Sequence, residues 1–91
     1  MNGSLVGVFL KEKPALTLIL LRDKSKKWYI STLAKMVDTT YPHMVKLINR
    51  LEQLGIVKTR KEGRTRYVEL TDKGEELAHD IEGLYRHLEK L

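Results

Sequence analysis

At 91 residues the chain is long enough for one domain and too short for two, so any function sits on one small core and its surface, without a large enclosed cleft. Its 17 Lys plus Arg outnumber 12 Asp plus Glu to give a net charge of +5, which favours anionic partners, nucleic acid first and a membrane surface second. The absence of cysteine excludes disulfides, thiolate zinc sites and thiol redox chemistry, and fits a reducing cytoplasm.

The positive excess is concentrated rather than spread, which argues against a role in solubility alone. Residues 22–66 hold 12 basic and 4 acidic side chains, a local net of +8, whereas residues 67–91 hold 3 and 7, a net of −4. The anionic partner is therefore expected against the middle of the chain. The most apolar stretch, Leu5 to Leu21, is broken by Lys11, Glu12, Lys13 and Pro14, so neither half reaches the roughly 20 residues that span a bilayer. It also lacks the basic start and small-residue cleavage pattern of a signal peptide. The expectation is a soluble cytoplasmic protein, associated with the nucleoid and without a membrane partner.

Taken in chain order, LVGVFL (Leu5 to Leu10) reads equally as a short strand or an early helical turn. Pro14 suits the first turn of a helix, where a missing amide costs nothing, and ALTLILLRD is apolar almost all round, as a buried helix would be. After the polar DKSKK connection, Trp28, Tyr29 and Ile30 form a β-favouring triplet able to add a short strand, with Trp28 expected in the core. Lys24, Lys26 and Lys27 before it suit backbone contacts to an anion or a solvated loop equally. Ser31 is placed as the N-cap of a helix through Val37. Asp38, Thr39 and Thr40 interrupt the pattern. Thr40 or Tyr41 then caps a longer helix with Pro42 in its first turn, in which Met44, Leu47, Ile48, Leu51 and Leu54 recur at steps of three and four. Gly55 supplies a left-handed stop. A short helix, a three-residue break and a longer helix make a helix-turn-helix unit over about 31–54.

Two β-favouring runs follow over about 56–70, joined at Glu62 and Gly63, with Val68 and Leu70 on the buried face. The last helix, about 72–91, starts at Thr71 or Asp72, where Asp72 and Glu75 have the form of a capping box. The predicted fold class is mainly α with a small β-hairpin, an α+β winged helix-turn-helix in one domain spanning 1–91.

Three stretches carry a resemblance to the MarR-like transcription regulators. Val45 to Arg60 looks like their recognition helix with its terminal Leu-x-x-x-Gly and following strand; Glu62-Gly63-Arg64 stands where their wing has Asp-x-Arg; and Leu70-Thr71-Asp72-Lys73-Gly74 matches Leu-Thr-x-x-Gly at the wing-to-helix junction. Glu62 departs from the usual Asp. The chain is also shorter than typical members, whose long terminal helices build a dimer and an effector pocket, so the resemblance implies DNA binding without implying a small-molecule effector. By analogy with the family, Glu62 would brace Arg64.

Five basic residues on one hairpin, Lys58, Arg60, Lys61, Arg64 and Arg66, suit a wing laid on the DNA backbone or tipped into the minor groove, with Arg64 at the tip. Charging an exposed sheet edge against aggregation is the plainer alternative. Thr39, Thr40, Tyr41, Pro42, His43, Lys46, Asn49 and Arg50 cluster at the start and outer face of the longer helix, where a helix in the major groove presents its side chains. Thr39, Thr40 and Tyr41 are expected on phosphates, and His43, Lys46 and Asn49 at bases. Tyr41 equally suits stapling the helix start.

Leu77, Ile81, Leu84, Leu88 and Leu91 step by 4, 3, 4 and 3, an unbroken seam that outruns a core of this size and predicts a homodimer, with the apolar N-terminal segment contributing. Two-fold symmetry would match a palindromic duplex. No Gly-rich phosphate loop, metal-ligand cluster or nucleophile with a matched base appears, so neither an enzyme nor a cofactor is expected; His79 and His87 read as solvated helix residues. The alternatives to a sequence-specific regulator are a sequence-neutral architectural DNA-binding protein and a winged helix used for protein or RNA.

Overall fold

The computed structural model describes residues 11–91; the apolar N-terminal segment assigned above to the dimer lies outside them. Their elements run α1 (Glu12–Leu21), β1 (Trp28–Tyr29), α2 (Ile30–Met36), α3 (Tyr41–Gln53), β2 (Val57–Glu62), β3 (Thr65–Leu70) and α4 (Asp72–Glu89). The strands form an antiparallel sheet in the order β1-β3-β2, so β3 is central and β1 closes the edge opposite the hairpin. Trp28 faces Val68 and Tyr29 faces Tyr67 across that edge. This is the α+β winged helix-turn-helix class expected from the sequence.

One core joins all the layers. Leu18 of α1, Leu33 of α2, and Met44, Ile48 and Leu51 of α3 are fully buried beside Val57, Val68 and Ala78. Truncating one of these leucines to alanine typically costs about 2–5 kcal/mol, because the cavity collapses only in part. Thr17 is buried in α1 because its hydroxyl donates to the Lys13 carbonyl at 2.8 Å, which satisfies the polar atom within its own helix. Trp28 is buried as expected, and its indole N–H donates to the Asp23 carbonyl at 2.9 Å.

Helix starts depart from expectation at α2 and in the capping box of α4, and agree with it at α3. Ile30 opens α2 instead of ending β1, and Ser31 is not its cap: the Thr32 hydroxyl, one residue further in, folds back to accept from the Tyr29 amide at 2.9 Å. Thr40, the nearer of the two candidates, caps α3 by accepting from the His43 amide at 3.3 Å. Thr71 caps α4 by accepting from the Gly74 amide at 3.1 Å, so Asp72 lies inside the helix and the Asp72–Glu75 capping box does not form.

The Leu70-Thr71-x-x-Gly74 junction has a geometric cause. Thr71 donates its amide to the Ile56 carbonyl at 3.0 Å, and its hydroxyl lies 2.6 Å from the Gly55 carbonyl and 3.1 Å from that of Ile56. The next helical turn then crosses the same carbonyl so closely that a Cβ on Gly74 would fall 2.0 Å from the Ile56 oxygen. Only glycine fits there.

The seam on α4 divides. Ile81 is buried and Leu77 half-buried within this domain's own core, which α4 reaches by packing along α1. Leu84, Leu88 and Leu91 are 44%, 55% and 97% exposed. The core therefore uses the first two residues of the five assigned to the dimer and leaves the last three open.

Candidate nucleic-acid interface

The turn between α2 and α3 sets the entry of the longer helix. Asp38 takes a left-handed conformation at φ +57°, and its carbonyl accepts from the Lys13 ammonium of α1; Thr39, half-buried, donates its amide to the Ala34 carbonyl at 2.9 Å. With Met44, Ile48 and Leu51 buried, the opposite side of α3 carries Tyr41, Pro42, His43, Lys46, Asn49 and Arg50 into solvent. Tyr41, at the first position of α3, is 48% exposed. These six residues of α3 are exposed as the spacing predicts, whereas Thr39, grouped with them in the sequence, is half-buried.

The wing turns one residue later than expected. Glu62 pairs with Thr65 as the last rung of the ladder, so the loop is the two residues Gly63 and Arg64 rather than Glu62 and Gly63. Gly63 takes φ +61°, the positive value required at the first position of a type II′ hairpin turn, and Arg64 stands exposed at the tip.

Alternation along the strands separates the five wing cations. On the face away from α3, Lys58 pairs with Glu69 at 3.6 Å, and Arg60 holds Glu62 through Nη2 at 2.9 Å and Nε at 3.3 Å. Glu62 also accepts from Lys27 at 3.3 Å and from the Tyr29 hydroxyl at 3.1 Å, while Lys27 and Arg60 both lie over the Tyr67 ring, 5.3 Å and 5.1 Å from its centre. The Arg60 guanidinium, with the Lys27 ammonium and Tyr29 hydroxyl after it, holds the Glu62 carboxyl below its ordinary range, and Glu62 raises Arg60 in return. Glu62 therefore braces Arg60, not Arg64 as family analogy implied: it stands on the same face as Arg60, two residues away, whereas Arg64 belongs to the turn.

On the face toward α3, Arg66 is enclosed by Asn49, Glu52 and Thr59. Lys61 and Arg64 keep no ion pair or hydrogen bond among the described residues, and neither do Lys46 and Arg50 on α3. Sequence reasoning thus overstates the free charge of the wing: it names Lys27 and Tyr29 without their pairing to Glu62, and it gives no role to Glu52 or Tyr67. Strand alternation placed Tyr67 and Arg60 within reach of each other, but only once the register was known.

No family model matches the chain. Among solved structures, the crystal structure of AF1382 from Archaeoglobus fulgidus is 27% identical, with a TM-score of 0.82 over 93% of this chain and 97% of that one. The MarR family transcriptional regulator SPO1453 from Silicibacter pomeroyi is 25% identical, with a TM-score of 0.79 over 98% of this chain and 64% of that one. The fold is the MarR-like winged helix. A third match, MepR of Staphylococcus aureus solved in complex with DNA, shares the MarR-like fold at a TM-score of 0.80 and 17% identity, over 98% of this chain and 67% of its own. The chain spans about two thirds of the length of these two MarR-like regulators. No helix among the described residues is long and apolar enough to cross a membrane.

Proposed function

We propose that this MarR-like chain is a transcription regulator that binds double-stranded DNA sequence-specifically as a homodimer in the cytoplasm, and that it is not an enzyme. In this reading α3 enters the major groove with Tyr41, His43 and Lys46 foremost, and the wing lays Lys61 and Arg64 on the backbone or into the minor groove. The observation that carries it is the set of four cations, Lys46, Arg50, Lys61 and Arg64, left without partners among the described residues on α3 and the wing, while Lys58, Arg60 and Arg66 are neutralised internally. An unpaired exposed cation gains most from an external phosphate, since binding releases the phosphate's condensed counterions. The exposed Leu84, Leu88 and Leu91, at and just beyond the end of a helix that packs along α1, support pairing through this end of the chain. The acidic α4 would then lie away from the duplex.

The test is fluorescence anisotropy on a duplex from upstream of the protein's own gene and on a scrambled duplex, at several salt concentrations, with light scattering for the mass. Specific binding is expected to exceed non-specific binding by ~10³-fold or more. Equal and steeply salt-dependent binding would indicate a sequence-neutral architectural protein, and no binding at low salt would indicate a protein or RNA module. A monomer mass at micromolar concentration would refute the homodimer.

A further inference from the structure

Arg66 is the wing cation whose surroundings least resemble a phosphate contact. It stands opposite Lys61 in the β2–β3 ladder, on the face that continues into the buried Val68. Its Nη1 donates to the Asn49 side-chain oxygen at 3.0 Å, and its Nη2 donates to Glu52 Oε1 at 3.3 Å and Thr59 Oγ1 at 3.2 Å. The Thr59 hydroxyl in turn donates to Glu52 Oε2 at 2.7 Å. Guanidinium, carboxylate and hydroxyl therefore close a ring that ties β2 and β3 to α3. Asn49 and Glu52, three apart on the helix, are neighbours on its surface, so the planar fork spans both at once.

Glu52 is otherwise hard to account for. It is the one acidic residue of α3, exposed on the side turned toward the wing, where a carboxylate repels a phosphate backbone. Its two oxygens are divided between Arg66 and Thr59, which gives the charge a purpose on that surface.

We propose that Arg66 is a positioning residue that sets the angle and spacing between α3 and the wing through Asn49, Glu52 and Thr59, and that it does not contact phosphate. Insofar as it is read out through DNA, this rests on the DNA-binding reading above. Arg66 and Asn49 leave the list of plain DNA contacts: the Asn49 amide oxygen is occupied by Arg66, and its nitrogen is the end left for a base.

Four variants, Arg66→Lys, Arg66→Ala, Lys61→Ala and Glu52→Ala, test it. Arg66→Lys keeps the charge and loses the fork; binding to the specific duplex is expected to weaken about tenfold with an unchanged salt slope. Lys61→Ala, a loss of plain phosphate contact, should lower that slope by about 1. Glu52→Ala removes a negative charge, so electrostatics alone predicts tighter binding; loss of the strut predicts weaker binding. In the DNA-free protein, the heteronuclear NOE of the Gly63 and Arg64 amides should fall in Arg66→Lys and Glu52→Ala while the rest of the spectrum is retained. Tighter binding by Glu52→Ala, or wild-type affinity in Arg66→Lys alongside a lowered slope in Arg66→Ala, would overturn the assignment. If the wild-type protein bound no duplex, the DNA reading would fail on its own, and the wing amides would still decide: undiminished order in both variants rejects the strut, reduced order upholds it.

Discussion

The base and the tip of the wing belong to one hairpin and are built on opposite principles. At the base, Val57, Val68 and Leu70 are buried, Thr71 is hydrogen-bonded to two carbonyls of the preceding loop, and Gly74 leaves no room for a side chain. At the tip, Gly63 and Arg64 are exposed, and a Cβ added at Gly63 would meet nothing within 4 Å. Both ends carry glycine, for different reasons: one needs close approach of two backbones, the other a positive φ. The contrast teaches that the two motifs of the region divide their labour. The junction motif maintains the direction of the hairpin, and the tip motif presents charge.

Substitution should separate these roles, with the largest effect at the base. Gly74→Ala drives a methyl into the Ile56 carbonyl, which cannot yield as a flexible side chain would. A loss on the order of 3 kcal/mol is expected, lowering Tm by more than 10 °C in a domain of this size as read by thermal unfolding. A smaller loss, about 1 kcal/mol, is expected for Thr71→Val, which removes the cap of α4 but keeps the shape. At the tip, Arg64→Ala should leave stability within about 0.5 kcal/mol of wild type in urea titration. The same variant should lower the salt slope of DNA binding by about 1. If Arg64→Ala destabilised the fold as Gly74→Ala does, base and tip would not be separable.

The smallest effect concerns the region between them. Because hydrogen bonds from Arg60 and then Lys27 lower the folded-state pKa of Glu62, its contribution to stability is present above the unfolded carboxylate value and is lost as pH falls through the folded one. The stability difference between wild type and Glu62→Gln should therefore shrink on acidification below about pH 4. A difference that grew toward acid would show that the carboxylate is not braced by these cations.

Much of this molecule was legible in the sequence, and what was not has a common cause. The α3 pattern was read correctly because steps of three and four are a property of one helix alone. Gly55 and the exposed face from Tyr41 to Arg50 followed from it. The seam on α4 was periodic too, yet periodicity does not say where a core ends, and the core absorbs Ile81 and part of Leu77. The pairing of charges was invisible, since Arg60 with Glu62 and Arg66 with Asn49 depend on strand register and on how β2 lies against α3. Ser31 failed as a cap because β1 ends one residue earlier than its β-favouring triplet suggested, which moves the helix start to Ile30.

The strand order carries a consequence for how the chain assembles. The hairpin closes over a two-residue loop, a contact that small hairpins reach in roughly 1–10 μs, whereas Trp28 meets Val68 only after about 40 residues of intervening chain have been drawn together. Since β1 pairs with β3 alone, it has no edge to join until β3 is in place. Sheet formation should thus run from the later part of the chain back to the earlier, with β1 docking last. A substitution at Trp28 is accordingly expected to speed unfolding more than it slows folding.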